Sequence, residues 1–181
     1  MPAASAEAPV PTDWQNDVDY EKLIHTPAVR DLLARQKPEQ ARMTGEEFVG
    51  SFEKIIKSPV ALVPAMTIMR DIYGRMGIHT GKTREEKYPQ PVGRVIVSAL
   101  CGIAKSGYKV QDVRQASDGC MLICEIPSDM FSLSGQLFIT IRRELEGTSV
   151  QADTHIEGQL YDWGKSKRAL DNLFAEIAEA K

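Results

Sequence analysis

"GQLFITIRREL", residues 135–145, decides the fold class of this chain, because its apolar and polar side chains alternate. Leu137, Ile139 and Ile141 project to one side of an extended backbone, whereas Thr140 and Arg142 project to the other. This period of two is typical of a β-strand with one packed face. The stretch therefore predicts a sheet with one apolar face and one face that is wet or partly wet.

Three further stretches have strand character, and turn-forming residues separate all four strands. They are YKVQDVRQAS (108–117), GCMLICEIPS (119–128) and TSVQADTHIEG (148–158), and the turns hold Asp118-Gly119, Ser134-Gly135 and Glu146-Gly147. Connections this short join only antiparallel neighbours. The sequence thus predicts a four-stranded antiparallel meander. CMLICEI (120–126) is apolar on both sides and indicates a more covered strand.

A predicted helix stands on each side of the meander. VGRVIVSALCGIAKSGY (92–108) has apolar residues at helical spacing and ends at Gly107. The last stretch, WGKSKRALDNLFAEIAEAK (163–181), has an apolar stripe formed by Leu170, Leu173, Phe174 and Ile177. A helix with one apolar stripe must bury it, and the apolar sheet face is the available partner. We therefore expect an α+β domain over residues 91–181, with a long C-terminal helix packed on the sheet.

The preceding part of the chain is predicted to be helical. Residues 1–16, rich in Ala, Pro and Ser, indicate a disordered tail, and residues 17–90 a helical region and a connector. Thr26 and Pro27 suit the start of one helix, and Thr44 with Glu47 forms a capping-box pattern at the start of the next. A third, Met-rich helix follows Pro64, and the polar stretch IHTGKTREEKYPQP (78–91) is interpreted as the connector.

Composition places the chain among ordinary globular proteins. Of its 181 residues, 43% are hydrophobic and 26% charged, and a net charge of −3 argues weakly against bulk binding to nucleic acid. No apolar run reaches the roughly 18 residues of a membrane span, and the N-terminus lacks the pattern of a secretory signal. Three cysteines, two of them within an apolar run, are expected to be reduced and buried. These features favour a cytoplasmic protein.

"GQLYDWGKSKR", residues 158–168, ends like a phosphate-binding loop. That motif needs four residues between its glycines and a parallel sheet, whereas five residues separate Gly158 from Gly164 and the predicted sheet is antiparallel. A simpler anion site remains open, in which the first turn of the last helix holds a phosphate or carboxylate. Its residues would be Lys165, Ser166, Lys167 and Arg168. The alternative, which we favour, is that these cations meet solvent or pair with nearby acids.

Other chemical patterns are weak, and we predict no catalytic residue, metal site or cofactor. Cys120 and Cys124 would lie about 13 Å apart on one strand, which suits core packing better than a shared metal. The three histidines lie in separate segments; His155, beside Asp153, could hold a general base, although a solvated face is the commoner interpretation. Asp112, Glu125 and Asp153 could meet in the fold. An enzyme is the third of our functional hypotheses.

Several apolar side chains are candidates for a ligand site. Met side chains adapt to varied ligands, and apolar residues in a loop can form the lip of a pocket or interface. The candidates are Met66, Met69, Met130, Phe131, Trp163 and Phe174. Our leading hypothesis is non-enzymatic binding of an apolar or lipid-like small molecule. The alternative is a protein-interaction or assembly subunit that docks on a protein partner or a second copy through its helical N-terminal region.

"GTSVQADTHIEGQLYDWGKSKRALDNLFAEIAEA", residues 147–180, resembles the ending of START-like, polyketide-cyclase-like helix-grip domains. The order of helix, antiparallel strands and long C-terminal helix over residues 92–181 is similar as well. The resemblance implies a ligand cavity between the sheet and the last helix, and it carries over no catalytic residue. That superfamily has six strands after its helices and one before them, whereas four are predicted here. Small bacterial α+β domains with a helix, a meander and a helix are an equally fair comparison.

Overall fold

The computed structural model describes residues 13–37, 44–53, 64–68, 81–128, 134–156 and 164–179. Five strands form one antiparallel sheet in the order β1-β5-β4-β3-β2. They are β1 (Thr83–Tyr88), β2 (Lys109–Gln115), β3 (Gly119–Ile126), β4 (Gly135–Glu144) and β5 (Gly147–His155). The predicted α+β class, the meander β2–β5 and the C-terminal helix are confirmed. The strand count of four was wrong.

The additional strand, β1, lies in the stretch predicted as a connector. It pairs with the last strand, from Thr83 opposite Asp153 to Tyr88 opposite Thr148. Its sequence, TREEKY, lacks the apolar alternation of a packed strand. In keeping with this composition, most of its side chains are exposed or half-buried. Backbone pairing at a sheet edge needs no apolar side chains, and charges there discourage pairing with other molecules.

Within the described ranges five helices of six or more residues accompany the sheet, and several begin and end at the predicted signals. They are α1 (Tyr20–His25), α2 (Pro27–Arg35), α3 (Gly45–Glu53), α4 (Val92–Lys105) and α5 (Lys165–Glu179). At α3 the capping box is complete: Glu47 N donates to Thr44 Oγ1 over 3.1 Å, and Thr44 N donates to Glu47 Oε2 over 2.7 Å. After α4 the chain turns at Gly107, whose φ of 68° favours glycine.

The main core lies between one face of the sheet and helices α4 and α5. The sheet residues on this face are buried by residues of both helices. The predicted stripe of α5 is confirmed as buried, since Leu170, Leu173, Phe174 and Ile177 are at most 3% exposed. Its sheet neighbours include Leu122, Leu137, Ile139, Ile141, Val150 and Ala152.

The N-terminal helices share this core. Their buried residues are Tyr20, Leu23, Ile24, Val29, Leu33, Val49 and Phe52. Gln115, at the end of β2, joins the two parts: its Oε1 accepts from Tyr20 N over 2.9 Å and its Nε2 donates to Val18 O over 2.8 Å. Residues 14–16, which the sequence assigned to the tail, form a 3-10 turn; residues 1–12 lie outside the described ranges.

A second, smaller cluster occupies the opposite face of the sheet. Its members are Ala65, Ile68, Ala116, Met121, Ile123 and Phe138. This face is therefore partly wet, as predicted, and the covered strand expected at residues 120–126 lies in its buried portion. None of the described helices is both long and apolar enough to cross a bilayer.

Candidate functional site

The candidate site lies on the second face of the sheet. At its centre Met121, Ile123 and Phe138 form an apolar strip that adjoins polar side chains. Cross-strand neighbours set the arrangement: Met121 stands opposite Thr140, and Ile123 opposite Phe138. These four side chains are between 0% and 9% exposed. They alternate along β3 and β4 with residues of the main core, so the sheet itself separates the two clusters.

Residues 65–68 are helical and lie over this strip. Ala65 and Ile68 pack on it, and Ala65 N donates to Asp118 Oδ1 over 2.9 Å. Asp118 belongs to the β2–β3 turn, so its carboxylate fixes residues 65–68, the cover of the strip, to the edge of the sheet. Met66, on the outside of the cover, is 47% exposed. The cover thus presents an apolar side chain to solvent next to a buried apolar strip.

Thr140 is the unusual polar member of this face. It is 1% exposed, and its Oγ1 has no hydrogen-bond partner among the residues that the structure describes. The other two buried threonines of the sheet do have partners: Thr148 Oγ1 donates to Gln90 O over 2.8 Å, and Thr154 Oγ1 accepts from Lys82 N over 3.1 Å. Buried hydroxyls are normally hydrogen-bonded, so Thr140 is a candidate contact for something else.

Arg142 follows Thr140 on the same face of β4, about 6.6 Å further along the strand. Its side chain is 20% exposed, and its Nη2 lies 3.7 Å from Glu85 Oε1 and 3.8 Å from Glu144 Oε1. Both distances exceed hydrogen-bond length, and within the described ranges no hydrogen bond reaches this guanidinium. Opposite Arg142 on β3 stands Gly119, which has no side chain. The guanidinium is therefore half-buried and ion-paired with two carboxylates, but it is hydrogen-bonded to neither.

A polar network covers the outer part of this face on β5 and β1. Asp153 accepts from Thr83 Oγ1 and, over 3.1 Å, from Gln151 Nε2. His155 is the next residue on this face, and both side chains are half-buried. This arrangement brings Asp153 and His155 together as the sequence suggested, but it orders the sheet surface without forming a recognisable catalytic set.

The other predicted carboxylates do not join this network. Asp112 and Asp153 lie in the same row but are three strand intervals apart, about 14 Å, with Ile123 and Phe138 between them. No group of three or more His, Cys, Asp or Glu residues in the described chain is arranged to hold a metal ion.

Of the six predicted ligand residues the structure describes Met66 and Phe174, which lie on opposite sides of the sheet. Met66 belongs to the cover of the second face, whereas Phe174 is 1% exposed in the main core, on the other side of the sheet. Met69, Met130, Phe131 and Trp163 lie outside the described residues. The two candidates that the structure places therefore cannot contact the same small molecule.

Phe174 has a different set of neighbours. The Arg84 guanidinium lies over its ring at 4.6 Å from the centroid and donates from Nη1 to Asp171 Oδ1 over 3.1 Å. Arg84 also pairs with Glu86, whose Oε2 accepts from Tyr88 Oη over 2.8 Å. Burial and the Glu86 carboxylate raise the pKa of Tyr88. This network fastens β1 to α5, and sequence reasoning missed it because β1 was not predicted.

The four residues of the predicted anion turn differ in exposure. Lys165 and Ser166 are buried, at 5% and 0% exposure, whereas Lys167 and Arg168 are exposed. Lys167 Nζ pairs with Asp171 Oδ2 at 2.8 Å, as the alternative prediction held for nearby acids. The anion site at the start of this helix stays a prediction.

The three cysteines are buried and free, as predicted. Cys120 and Cys124 lie on the main-core face of β3, and Cys101 lies on α4. Burial raises the pKa of Cys120 to about 12 and that of Cys101 to about 11, and it raises the pKa of Cys124 as well. Neutral thiols in an apolar core are poor nucleophiles and poor metal ligands.

Comparisons with known proteins returned no relative. No protein-family model matches the chain, no curated protein is significantly similar, and no solved structure matches the fold.

Proposed function

We propose that the protein binds a small apolar or lipid-like molecule, without transforming it, on the sheet face that carries Met121, Ile123 and Phe138. The observation that supports this is the second apolar cluster, which the sheet separates from the main core. Its described cover is one helical turn with an exposed Met66. A ligand on this face would take the place of Ala65 and Ile68 against the apolar side chains of the sheet.

The order of elements gives the helix-grip proposal partial support. One strand precedes α4 and pairs with the last strand, and a long helix closes the chain. The superfamily places its ligand between the sheet and that helix. In this protein the corresponding space contains the tightly buried residues Leu137, Ile139 and Phe174. We therefore place the ligand on the opposite face of the sheet.

Methyl NMR separates the two faces with matched reporters. Ile123 lies in the second cluster and Ile139 in the main core, on neighbouring strands. With Ile δ1 methyl groups labelled, titration with naphthalene should shift the Ile123 signal and leave the Ile139 signal in place. Native mass spectrometry of protein isolated from its own host should show a co-purifying small molecule. A protein that binds no apolar probe, or in which only Ile139 responds, would contradict the proposal.

No specific observation favours the two other hypotheses, a protein-interaction subunit and an enzyme. Docking through the helical N-terminal region would need an exposed apolar face, and among the described residues of that region Met66 is the one large exposed apolar side chain. Catalysis would need a cleft with activated groups, and the described thiols are neutral and buried. A cytoplasmic location remains part of the proposal, and the three free thiols support it.

A further inference from the structure

We propose that Thr140 and Arg142 form the polar end of this ligand site and accept an uncharged carbonyl group, as found in an acyl amide or ester. The inference rests on the proposed function, since it assigns the headgroup of the ligand that the second face would bind. It begins from two neighbouring polar groups on one face of β4: the buried hydroxyl of Thr140 and the half-buried guanidinium of Arg142, for neither of which the described residues supply a hydrogen bond.

The hydroxyl of Thr140 is a defined hydrogen-bonding group in an apolar setting. It is 1% exposed, stands opposite Met121 and next to Phe138 along β4, and lacks a partner in the described part of the chain. A hydroxyl can donate one hydrogen bond and accept two. Buried hydroxyls are normally hydrogen-bonded, so a group of this kind without a partner calls for an explanation, and a bound molecule is the one developed here.

The guanidinium of Arg142 supplies donors beside it. Its nearest charged neighbours are Glu85 and Glu144, at 3.7 and 3.8 Å, and neither makes a hydrogen bond to it. Glu144 is held away by Ser149, whose Oγ donates to Glu144 Oε1 over 2.8 Å. Since Gly119 faces Arg142 across the β3–β4 pair, no β3 side chain occupies the adjoining position.

The charge balance selects the type of headgroup. Within ion-pair distance of Arg142 lie the two carboxylates of Glu85 and Glu144, so the charge of the guanidinium is already balanced. A carboxylate or phosphate would add negative charge, whereas a neutral carbonyl oxygen accepts hydrogen bonds and adds no charge. With the carbonyl at Thr140, the apolar part of the same molecule extends over Met121 and Phe138.

Three probes test the assignment with the intact protein: decanamide, decanoate and naphthalene. The affinity of each is measured by isothermal titration calorimetry and by methyl NMR at Ile123. We expect decanamide to bind more tightly than decanoate. Thr140→Val should weaken decanamide about fivefold, the equivalent of one neutral hydrogen bond, and leave naphthalene unchanged. Thr140→Ser, which keeps the hydroxyl, should retain the decanamide affinity, and Arg142→Met should also weaken decanamide.

The outcomes distinguish this inference from the proposed function. If naphthalene binds at Ile123 but decanamide does not bind, or binds equally to wild type and Thr140→Val, the headgroup assignment is wrong and the apolar site stands. Tighter binding of decanoate than of decanamide would likewise overturn it. If neither naphthalene nor decanamide binds the wild-type protein, the proposed function itself is wrong.

Discussion

Replacement of Thr140 by valine should stabilise the free protein. The side chain is 1% exposed and its Oγ1 has no described partner, so folding removes the hydroxyl from water without compensation. An unsatisfied buried polar group costs about 1–3 kcal/mol. Valine keeps the branched shape, replaces the hydroxyl by a methyl group and gains contact with the apolar strip. We expect the free energy of unfolding to rise by about 1 kcal/mol, the lower end of that range.

Thr154→Val is the matched control, because Thr154 is also a buried threonine of this sheet, at 2% exposure. Its Oγ1 accepts from Lys82 N over 3.1 Å and donates to Lys82 O over 3.3 Å. Valine at this position breaks both bonds. Residue 82 is exposed, so water replaces part of the loss, and a decrease of about 1 kcal/mol follows. The two substitutions should therefore change stability in opposite directions.

Urea unfolding followed by circular dichroism measures both effects, and thermal unfolding checks them. For a chain of this size, 1 kcal/mol corresponds to a shift of roughly 2–4 °C in Tm. The two variants should thus separate by about 2 kcal/mol, or roughly 4–8 °C. If Thr140→Val loses as much stability as Thr154→Val, the Thr140 hydroxyl has a hydrogen-bond partner, and the physical basis of the headgroup site disappears.

Three substitutions and one change of pH give further tests of the packing. Gly93→Ala should lower the free energy of unfolding by about 1–3 kcal/mol, since the new Cβ would lie 2.2 Å from Trp14 O. Gly50 has open space around it, so Gly50→Ala should raise the free energy of unfolding by about 0.5–1 kcal/mol. Urea midpoints compare the two variants. Gln115→Glu keeps the acceptor for Tyr20 N but places a carboxylate oxygen against the three carbonyl oxygens to which Gln115 Nε2 donates. Thermal unfolding should show a loss of about 2–4 kcal/mol in the free energy of unfolding. An unchanged Tm would contradict the role of Gln115 in joining β2 to the N-terminal helices. Burial raises the pKa values of the three thiols, so the thiols of the unfolded chain ionise first as the pH rises above about 8.5. The stability that the buried thiols contribute is therefore present below that pH and decreases above it. Urea midpoints at pH 7 and pH 10 check the sign.

Those parts of the fold that depend on nearby residues were predictable from the sequence. The Thr44–Glu47 capping box needs only residues three apart, and it forms as predicted. The stripe on α5 needs only helical spacing, and all four of its residues are buried. The alternation in residues 135–145 placed Leu137, Ile139 and Ile141 on the main-core face for the same reason. Each of these signals states a local preference that packing then follows.

The features that depend on distant residues were not predictable in the same way. Nothing in TREEKY indicates that this stretch pairs with β5, because the pairing uses the backbone and the edge position tolerates charge. The two ligand candidates Met66 and Phe174 are both apolar, yet the sheet lies between them. A single sequence shows that a segment has an apolar side, but it does not show which face of a sheet that side covers.

The position of β1 also affects how the protein is made. Thr83 and its partner Asp153 are separated by 70 positions in the chain. At a ribosomal rate of about 5–20 residues per second, β1 waits about 4–14 s for β5 to be synthesised. Charged side chains disfavour pairing of an open strand with other strands. The charged composition that hid this strand from sequence reasoning is thus the composition that suits a strand whose partner is synthesised last.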